Sequence, residues 1–276
     1  MTAAGSAVEH AEVEGLMMAL RERYDYDFSH YARASFLRRV RHAMLEEQAP
    51  SVSALQAKLL RDPFVMRRFI AHLSVHVTSM FRDPEFYQTL RRLVLSWLRT
   101  YPFIRIWHAG CATGEEVYSM CIMLEEEGLY DRCRIYATDL SEVVLHRARL
   151  ATYPLGSVQR YTENYQKAGG TLDFSRYYTA DRENAIIHEQ LRRNVLFSLH
   201  NLASDGSFNE FHLVCCRNVM IYFDETLQER VLSLFDGSLA RGGYLALGRR
   251  ETLNFSNLKH TYQEVETGSR LYRKVR

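Results

Sequence analysis

The 276-residue sequence predicts an α/β protein in which a small N-terminal helical domain precedes a doubly wound, mostly parallel sheet. Three observations lead there. Apolar residues recur three and four apart up to about residue 100. After Pro102 short apolar runs alternate with amphipathic segments, the texture of strands and helices in a sheet covered on both faces. Between about 153 and 190 that alternation breaks, which marks an inserted antiparallel β-subdomain.

Taken in order, residues 1–14 are expected to be disordered, and "MTAAGSAVEH" has neither the basic start nor the apolar core of a secretory signal. The segments "EVEGLMMALRERY", "YARASFLRRVRHAMLEE", "SVSALQAKLL", "PFVMRRFIAHLSV" and "DPEFYQTLRRLVLSWL" read as helices of a domain over 15–100. Asp62 with Pro63 and Asp83 with Pro84 have the form of helix starts, an acidic cap followed by proline in the first turn. The α/β domain is expected over 101–276. Its strand candidates are "IRIWH" (104–108), "CRIYATD" (133–139), "NVLFSLHNL" (194–202), "FHLVCCRN" (211–218) and "GGYLALG" (242–248), with helices between most of them at 115–127, 141–151 and 225–240. The final "SRLYRKV" reads as an antiparallel strand near an edge, in a hairpin with the segment around Tyr262.

Composition excludes several classes of function. Lys plus Arg number 35 against 33 Asp plus Glu, so net charge gives no reason to expect nucleic acid or a polyanionic surface. No apolar run approaches the roughly 18 residues that span a bilayer, so direct membrane insertion is not expected. The five cysteines form no CxxC pair and fit no disulfide framework; they read as buried, reduced thiols of a cytoplasmic protein.

The stretch "HAGCATGEEVYS" (108–119) raises the question of ligand. Gly110 and Gly114 follow a strand and open a helix, as where a nucleotide is bound. Glu115 and Glu116 stand at the helix start, however, where they would repel a phosphate otherwise attracted there. Parallel sheets bind ligands at the carboxyl ends of their strands, and polar groups follow four of these strands: the glycine loop, Asp139, Asn201, and Arg217 with Asn218. Asp139 lies about 25 residues beyond the glycine loop, near the spacing at which a carboxylate accepts from both ribose hydroxyls. S-adenosylmethionine meets these requirements: it has a ribose, no phosphate, a sulfonium cation, and an ammonium that welcomes a carboxylate. The pattern implies no metal.

The segments "HVTSMFRDPEF", "GCATGEEVYS", "IYATDLSEVVLHRAR" and "VCCRNVMIYFD" resemble, in order and spacing, the signatures of the chemotaxis-receptor glutamate methyltransferases, the CheR family, and the likeness runs from about residue 14 to the C-terminus. The resemblance implies a Rossmann-like, class I methyltransferase domain. It implies cofactor contacts from Thr78 and Arg82 on the last helical segment of the N-terminal domain, and from Gly110, Glu116, Asp139, Asn201, Leu202, Arg217 and Asn218. Arg82 and Tyr222 would stand beside the transferred methyl as the catalytic pair. His76 occupies a cofactor position where receptor-tethered relatives carry Asn. The segment "GRRETL" (248–253) departs from the family's Gly-His-Ser-Glu. The implied reaction is O-methylation of glutamate side chains on the cytoplasmic helices of transmembrane chemoreceptors, by a monomer in the cytoplasm. Residues 20–100 hold fourteen Lys or Arg against eight Asp or Glu, and the resemblance assigns Arg33, Arg38, Arg39 and Arg41 to docking against those acidic helices. The turn "TADRENA" lacks the extra glycine of relatives that tether to a receptor's C-terminal pentapeptide, which implies independence from the tether.

The chemistry agrees. Methyl transfer from a sulfonium is an in-line displacement, catalysed mainly by holding donor and acceptor at attack distance. A glutamate, with an ordinary pKa of about 4.3, arrives ionised and requires no base. Four rival readings remain: a metal site on His72 and His76, which lacks a third ligand; a nicotinamide-dependent dehydrogenase, opposed by the acidic helix start; nucleic-acid methylation; and a non-catalytic protein that senses the cofactor or holds the receptor.

Overall fold

The computed structural model describes residues 3–73 and 78–276. The chain opens with four helices: α1 (Ala3–Tyr24), α2 (Arg33–Glu46), α3 (Val52–Arg61) and α4 (Pro63–Leu73). Helix α1 begins at Ala3, inside the segment 1–14 that was expected to be disordered. Its stripe of Val13, Leu16, Met17 and Leu20 has helical spacing and is buried in the core of the bundle, and Glu14 pairs with Arg33 of α2. Ser51 caps α3 by accepting from the Ala54 N–H at 3.1 Å, and Asp62 accepts from Phe64 N–H at 2.8 Å at the start of α4.

A correction concerns the domain boundary at residue 100. Helix α5 (Pro84–Thr89) runs through a π-helical turn (Leu90–Val94) into α6 (Leu95–Leu98). Phe86, Leu90, Val94, Leu95 and Leu98 pack into the core of the sheet domain, not into the bundle, whose core ends at Leu73. Sequence periodicity finds a helix but not the neighbour it packs against.

The main sheet holds β1 (Ile104–Ala109), β2 (Cys133–Asp139), β6 (Val195–Leu199), β7 (Phe211–Cys216), β8 (Leu239–Leu247), β9 (Tyr262–Glu264) and β10 (Leu271–Lys274), in the order β6-β2-β1-β7-β8-β10-β9. The first five are parallel, and β10 is antiparallel to both β8 and β9, as the terminal hairpin was expected to be. Helices α7 (Glu115–Glu126), α8 (Glu142–Leu150) and α10 (Glu225–Ser238) supply connections. Strands covered on both faces must be apolar throughout, and β7 is buried at every position. From β1 the chain moves outward through β2 to β6 and then returns to β7 on the other side. The crevice at the carboxyl ends of β1 and β7 is therefore the topological switch point.

Between α8 and β6 lies the inserted subdomain, with β3 (Thr152–Pro154), α9 (Val158–Lys167), β4 (Tyr178–Ala180) and β5 (Asn184–Ile187); its antiparallel sheet runs β3-β5-β4. All five cysteines are buried and unpaired. Among the described residues no helix is long and apolar enough to cross a membrane.

Leu16 is fully buried in α1. Replacing it with Ala should lower the unfolding free energy by about 2–5 kcal/mol in a urea titration. A change under about 0.5 kcal/mol would remove this part of α1 from the bundle core.

Candidate functional site

Two tight backbone turns create the site. Gly110, directly after β1, has φ +75°, and a Cβ there would stand 2.4 Å from Val219 Cγ2, so the turn against the β7 loop accepts only glycine. Gly110 N–H and Cys111 N–H both donate to the Thr138 carbonyl, at 2.8 and 2.9 Å, which ties the loop to the end of β2. Asp139 completes the tie: Oδ2 accepts from Ala112 N–H at 3.0 Å and Oδ1 from Ser141 N–H at 3.1 Å. Ser141, not Asp139, caps α8.

The second turn follows β7. Glu251 is buried and accepts from the N–H groups of Gly248, Asn218 and Val219 at 2.6–2.9 Å and of Ile221 at 3.4 Å. Burial pushes its carboxyl up, and these donors oppose that. The departure at "GRRETL" now has a physical meaning. Gly248 and Glu251 still hold the turn, while Arg249 reaches Asp83 at 3.2 Å and Glu85 at 2.6 Å, and Arg250 faces the crevice.

Between these turns opens a cavity of about 330 Å³. Its walls include Thr78, Arg82, Gly110, Glu116, Asp139, Asn201, Leu202, Arg217, Asn218 and Tyr222, all expected from the sequence. His76 lies outside the described residues. Thr78 and Arg82 are not on a helix, as had been expected, but in the loop between α4 and α5, where Phe81 (φ +51°) and Asp83 (φ +57°) take the left-handed conformation on either side of Arg82. Backbone of that kind costs about 1–3 kcal/mol per residue and needs surrounding contacts to hold it. Phe81 is fully buried, and its N–H donates to Ser119 Oγ at 2.8 Å.

The electrostatic centre is Arg217. Its Nη1 contacts Glu116 Oε2 at 2.9 Å, its Nη2 contacts Asp83 Oδ2 at 2.7 Å and the Arg82 carbonyl at 3.3 Å, and its guanidinium lies 4.2 Å from the centroid of the Phe86 ring. Glu116 Oε1 meets His108 Nδ1 at 3.0 Å. Burial opposes the charge on Glu116, but Arg217 and then His108 win, holding the carboxyl at about 2 against its ordinary 4.5. Of the two helix-start glutamates only Glu116 faces the cavity. Glu115 is buried, accepts from Thr113 Oγ1 at 2.6 Å, and is pushed up by that burial.

Sequence reasoning missed Tyr31, Leu140, His200 and Arg250 in the same walls. Leu140 and His200 adjoin expected residues. Tyr31 arrives from the bundle by long-range folding, for which a sequence carries no local signal. The four expected docking arginines divide: Arg38 and Arg41 are exposed, Arg33 is held by Glu14 and the His10 carbonyl, and Arg39 is half-buried against Tyr222. His72 Nε2 meets Glu46, whose other oxygen meets His42 Nε2 at 3.1 Å.

The residues present fit S-adenosylmethionine. Asp139 and Glu116 put two carboxylates into a cavity that has to take a cationic nucleoside, Glu116 is held ionised, and Leu202 gives an apolar wall beside Asn201.

Two family models match the chain: CheR methyltransferase, all-alpha domain, over residues 11–74, and CheR methyltransferase, SAM binding domain, over 76–270. The chain is 45% identical over 263 residues to Cher3 of Pseudomonas putida, covering 95% of this chain and 96% of that one. It is 33% identical over 209 residues to chemotaxis protein methyltransferase 2 of Pseudomonas aeruginosa, covering 74% and 72%. Over 231 residues it is 31% identical to the chemotaxis protein methyltransferase of Salmonella typhimurium, covering 80% and 75%.

Replacing Glu116 with Ala would leave Arg217 buried with half its compensation gone, at a cost of about 3–5 kcal/mol by chemical denaturation. Because the folded carboxyl sits below its unfolded value, its contribution is fully present above about pH 5 and is lost as pH falls toward 2. The native denaturation midpoint should drop across that window, and the drop should shrink in Glu116→Gln.

Proposed function

The chain belongs to the CheR methyltransferase family, and from that premise we propose that it methylates glutamate side chains on acidic cytoplasmic helices of chemoreceptors. It is an S-adenosylmethionine-dependent methyltransferase of the chemotaxis type. The cofactor, when bound, supplies a methyl group on a sulfonium, with S-adenosylhomocysteine as its product.

The observation that carries the glutamate reading is that a guanidinium, Arg82, and a phenol, Tyr222, both line the cavity. Among the described cavity-lining residues the imidazole is His200, at the β6 end beside Asn201, Glu116 is held by Arg217, and Asp139 accepts from Ala112 and Ser141 N–H. An amine or alcohol acceptor would need a base to take its proton. A carboxylate needs only alignment. Arg82 offers a planar fork that can hold both oxygens in one plane, and the Tyr222 hydroxyl can donate to one of them. Asp139 orients the ribose, Glu116 holds the ammonium, and Asn201 with Leu202 borders the adenine. This catalytic constellation disfavours the non-catalytic alternative.

Docking falls to Arg38 and Arg41 on the exposed face of α2, where acidic receptor helices would meet them. Independence from the receptor pentapeptide is supported by the β4–β5 turn. Asp181 closes it through its own carboxylate, which accepts from Glu183 and Asn184 N–H at 2.8 and 2.6 Å, with no glycine in it. We place the reaction in the cytoplasm, where those receptor regions lie, and read the enzyme as a monomer.

Incubation with labelled S-adenosylmethionine and receptor cytoplasmic fragments should give label that mild alkali releases, as an ester requires; alkali-stable label would end the glutamate reading. Tyr222→Phe should slow kcat on the order of tenfold or more, and Arg82→Lys by on the order of a hundredfold, because Lys loses the paired geometry. Charge reversal at Arg38 and Arg41 together should raise KM for the receptor fragment while calorimetric affinity for S-adenosylmethionine stays within about twofold. Unchanged methylation would remove α2 as the docking face.

A further inference from the structure

Arg39 sits one residue from an exposed docking arginine yet does a different job. Its guanidinium carbon lies 4.8 Å from the centroid of the Tyr222 ring, and its Nη1 donates to the His72 carbonyl at 2.7 Å. That carbonyl belongs to the last turn of α4, the negative end of a helix, which favours a cation. The guanidinium is thus tied to α4 by a hydrogen bond and laid on an aromatic ring. Burial is the main influence on Arg39, pushing its guanidinium below the ordinary value, and Tyr222 is the first of the groups that oppose this.

Tyr222 itself ends a short 3₁₀ turn (Met220–Tyr222). The bundle grips the backbone of that turn. Ala32 N–H donates to the Tyr222 carbonyl at 2.8 Å, Asp224 N–H donates to the His30 carbonyl at 2.9 Å, and the Tyr31 and Phe223 rings meet edge to face at 5.1 Å. With the main chain held, the remaining freedom of Tyr222 is in its side-chain torsions. A charge over the ring face restricts them.

We infer that Arg39 is a positioning residue for methyl transfer: it clamps the Tyr222 ring so that the phenol stays turned to the acceptor carboxylate. This rests on the reading of Tyr222 as the group that orients the acceptor. Because Arg39 is anchored on α4 and carried by α2, the helical bundle completes the methyl-transfer end of the site and does more than dock substrate. A ring free to rotate would leave the acceptor oxygen out of line with the carbon it attacks, and misplacement of about 1 Å can cost a hundredfold in rate.

The test is a double-mutant cycle on the full chain. Arg39→Gln, Arg39→Lys, Tyr222→Phe and the double variant Arg39→Gln/Tyr222→Phe are assayed for methylation of a receptor cytoplasmic fragment, with S-adenosylmethionine affinity measured by calorimetry and melting temperature recorded for each. Arg39→Gln should lower kcat about tenfold or more, leaving receptor KM and cofactor affinity within about twofold. Arg39→Lys, which keeps a cation over the ring, should recover part of the loss. In the Tyr222→Phe background Arg39→Gln should cost less than about threefold, because the group it positions has gone. Full additivity of the two losses, a change confined to KM, or a lowered melting temperature with kcat preserved at a temperature where the variant is folded would each overturn the inference. If Tyr222→Phe is slow while Arg39→Gln is not, only the role of Arg39 fails. A Tyr222→Phe enzyme with native kcat overturns the reading of Tyr222 and this inference together.

Discussion

One buried guanidinium holds the site at its working dimensions. Arg217 leaves the end of β7 and binds two regions distant from it in sequence: Glu116 on α7, and the start of α5, through Asp83 in the loop that carries Arg82 and the ring of Phe86. Stripping a guanidinium of water costs several kcal/mol, and the two carboxylates and the aromatic face offset that cost. The consequences reach both ends of the cavity. Glu116 remains ionised in a place where burial alone would neutralise it. Asp83, drawn to Arg217 and Arg249, does not cap α5 with its side chain, and the left-handed turn around Arg82 is held in place instead.

In the proposed reaction the cavity accommodates a cationic donor and an anionic acceptor, and the strand order keeps the two kinds of protein charge apart. Glu116 and Asp139 follow β1 and β2. Tyr222 and Arg250 follow β7 and β8, and Arg82 is brought to that half by its loop's attachment to Arg217. Arg217, whose charge is satisfied by Glu116 and Asp83, divides the halves without presenting a bare cation to the sulfonium. The reversal of strand order at β1 therefore separates charge as well as opening a crevice.

What the sequence made legible follows from where the constraints are local. Gly110, Asp139 and Asn218 were readable because a strand end is marked by a change from apolar to polar or glycine within a residue or two, and the parallel topology then brings those ends together. The hairpin at the C-terminus was readable for the same reason. The boundary at residue 100 was not, because α5 and α6 have the amphipathic pattern of bundle helices and only tertiary contact tells which core they join. Arg39 was a different kind of miss, since the information was present. Phe36, Val40 and Ala43 mark the buried stripe of α2; at about 100° per residue, Arg33 and Arg39 flank it by about 60° while Arg38 and Arg41 lie opposite. Counting charges along the helix merged two faces that its phase keeps apart.

The two faces of α2 give the helical bundle a geometric role in the proposed reaction. Arg38 and Arg41 are exposed on the outer face, where the proposed substrate helix would dock, while Arg39 and the preceding Tyr31 point inward, onto Tyr222 and the cavity. Adjacent residues rise only about 1.5 Å along a helix. A substrate held by the outer face is therefore registered against the same rigid element that fixes the orienting phenol. Recognition and alignment then share one coordinate frame, so error in docking does not accumulate through a flexible linker. In-line displacement tolerates little misplacement, and a single 14-residue helix serving both ends is a direct way for a fold to meet that demand.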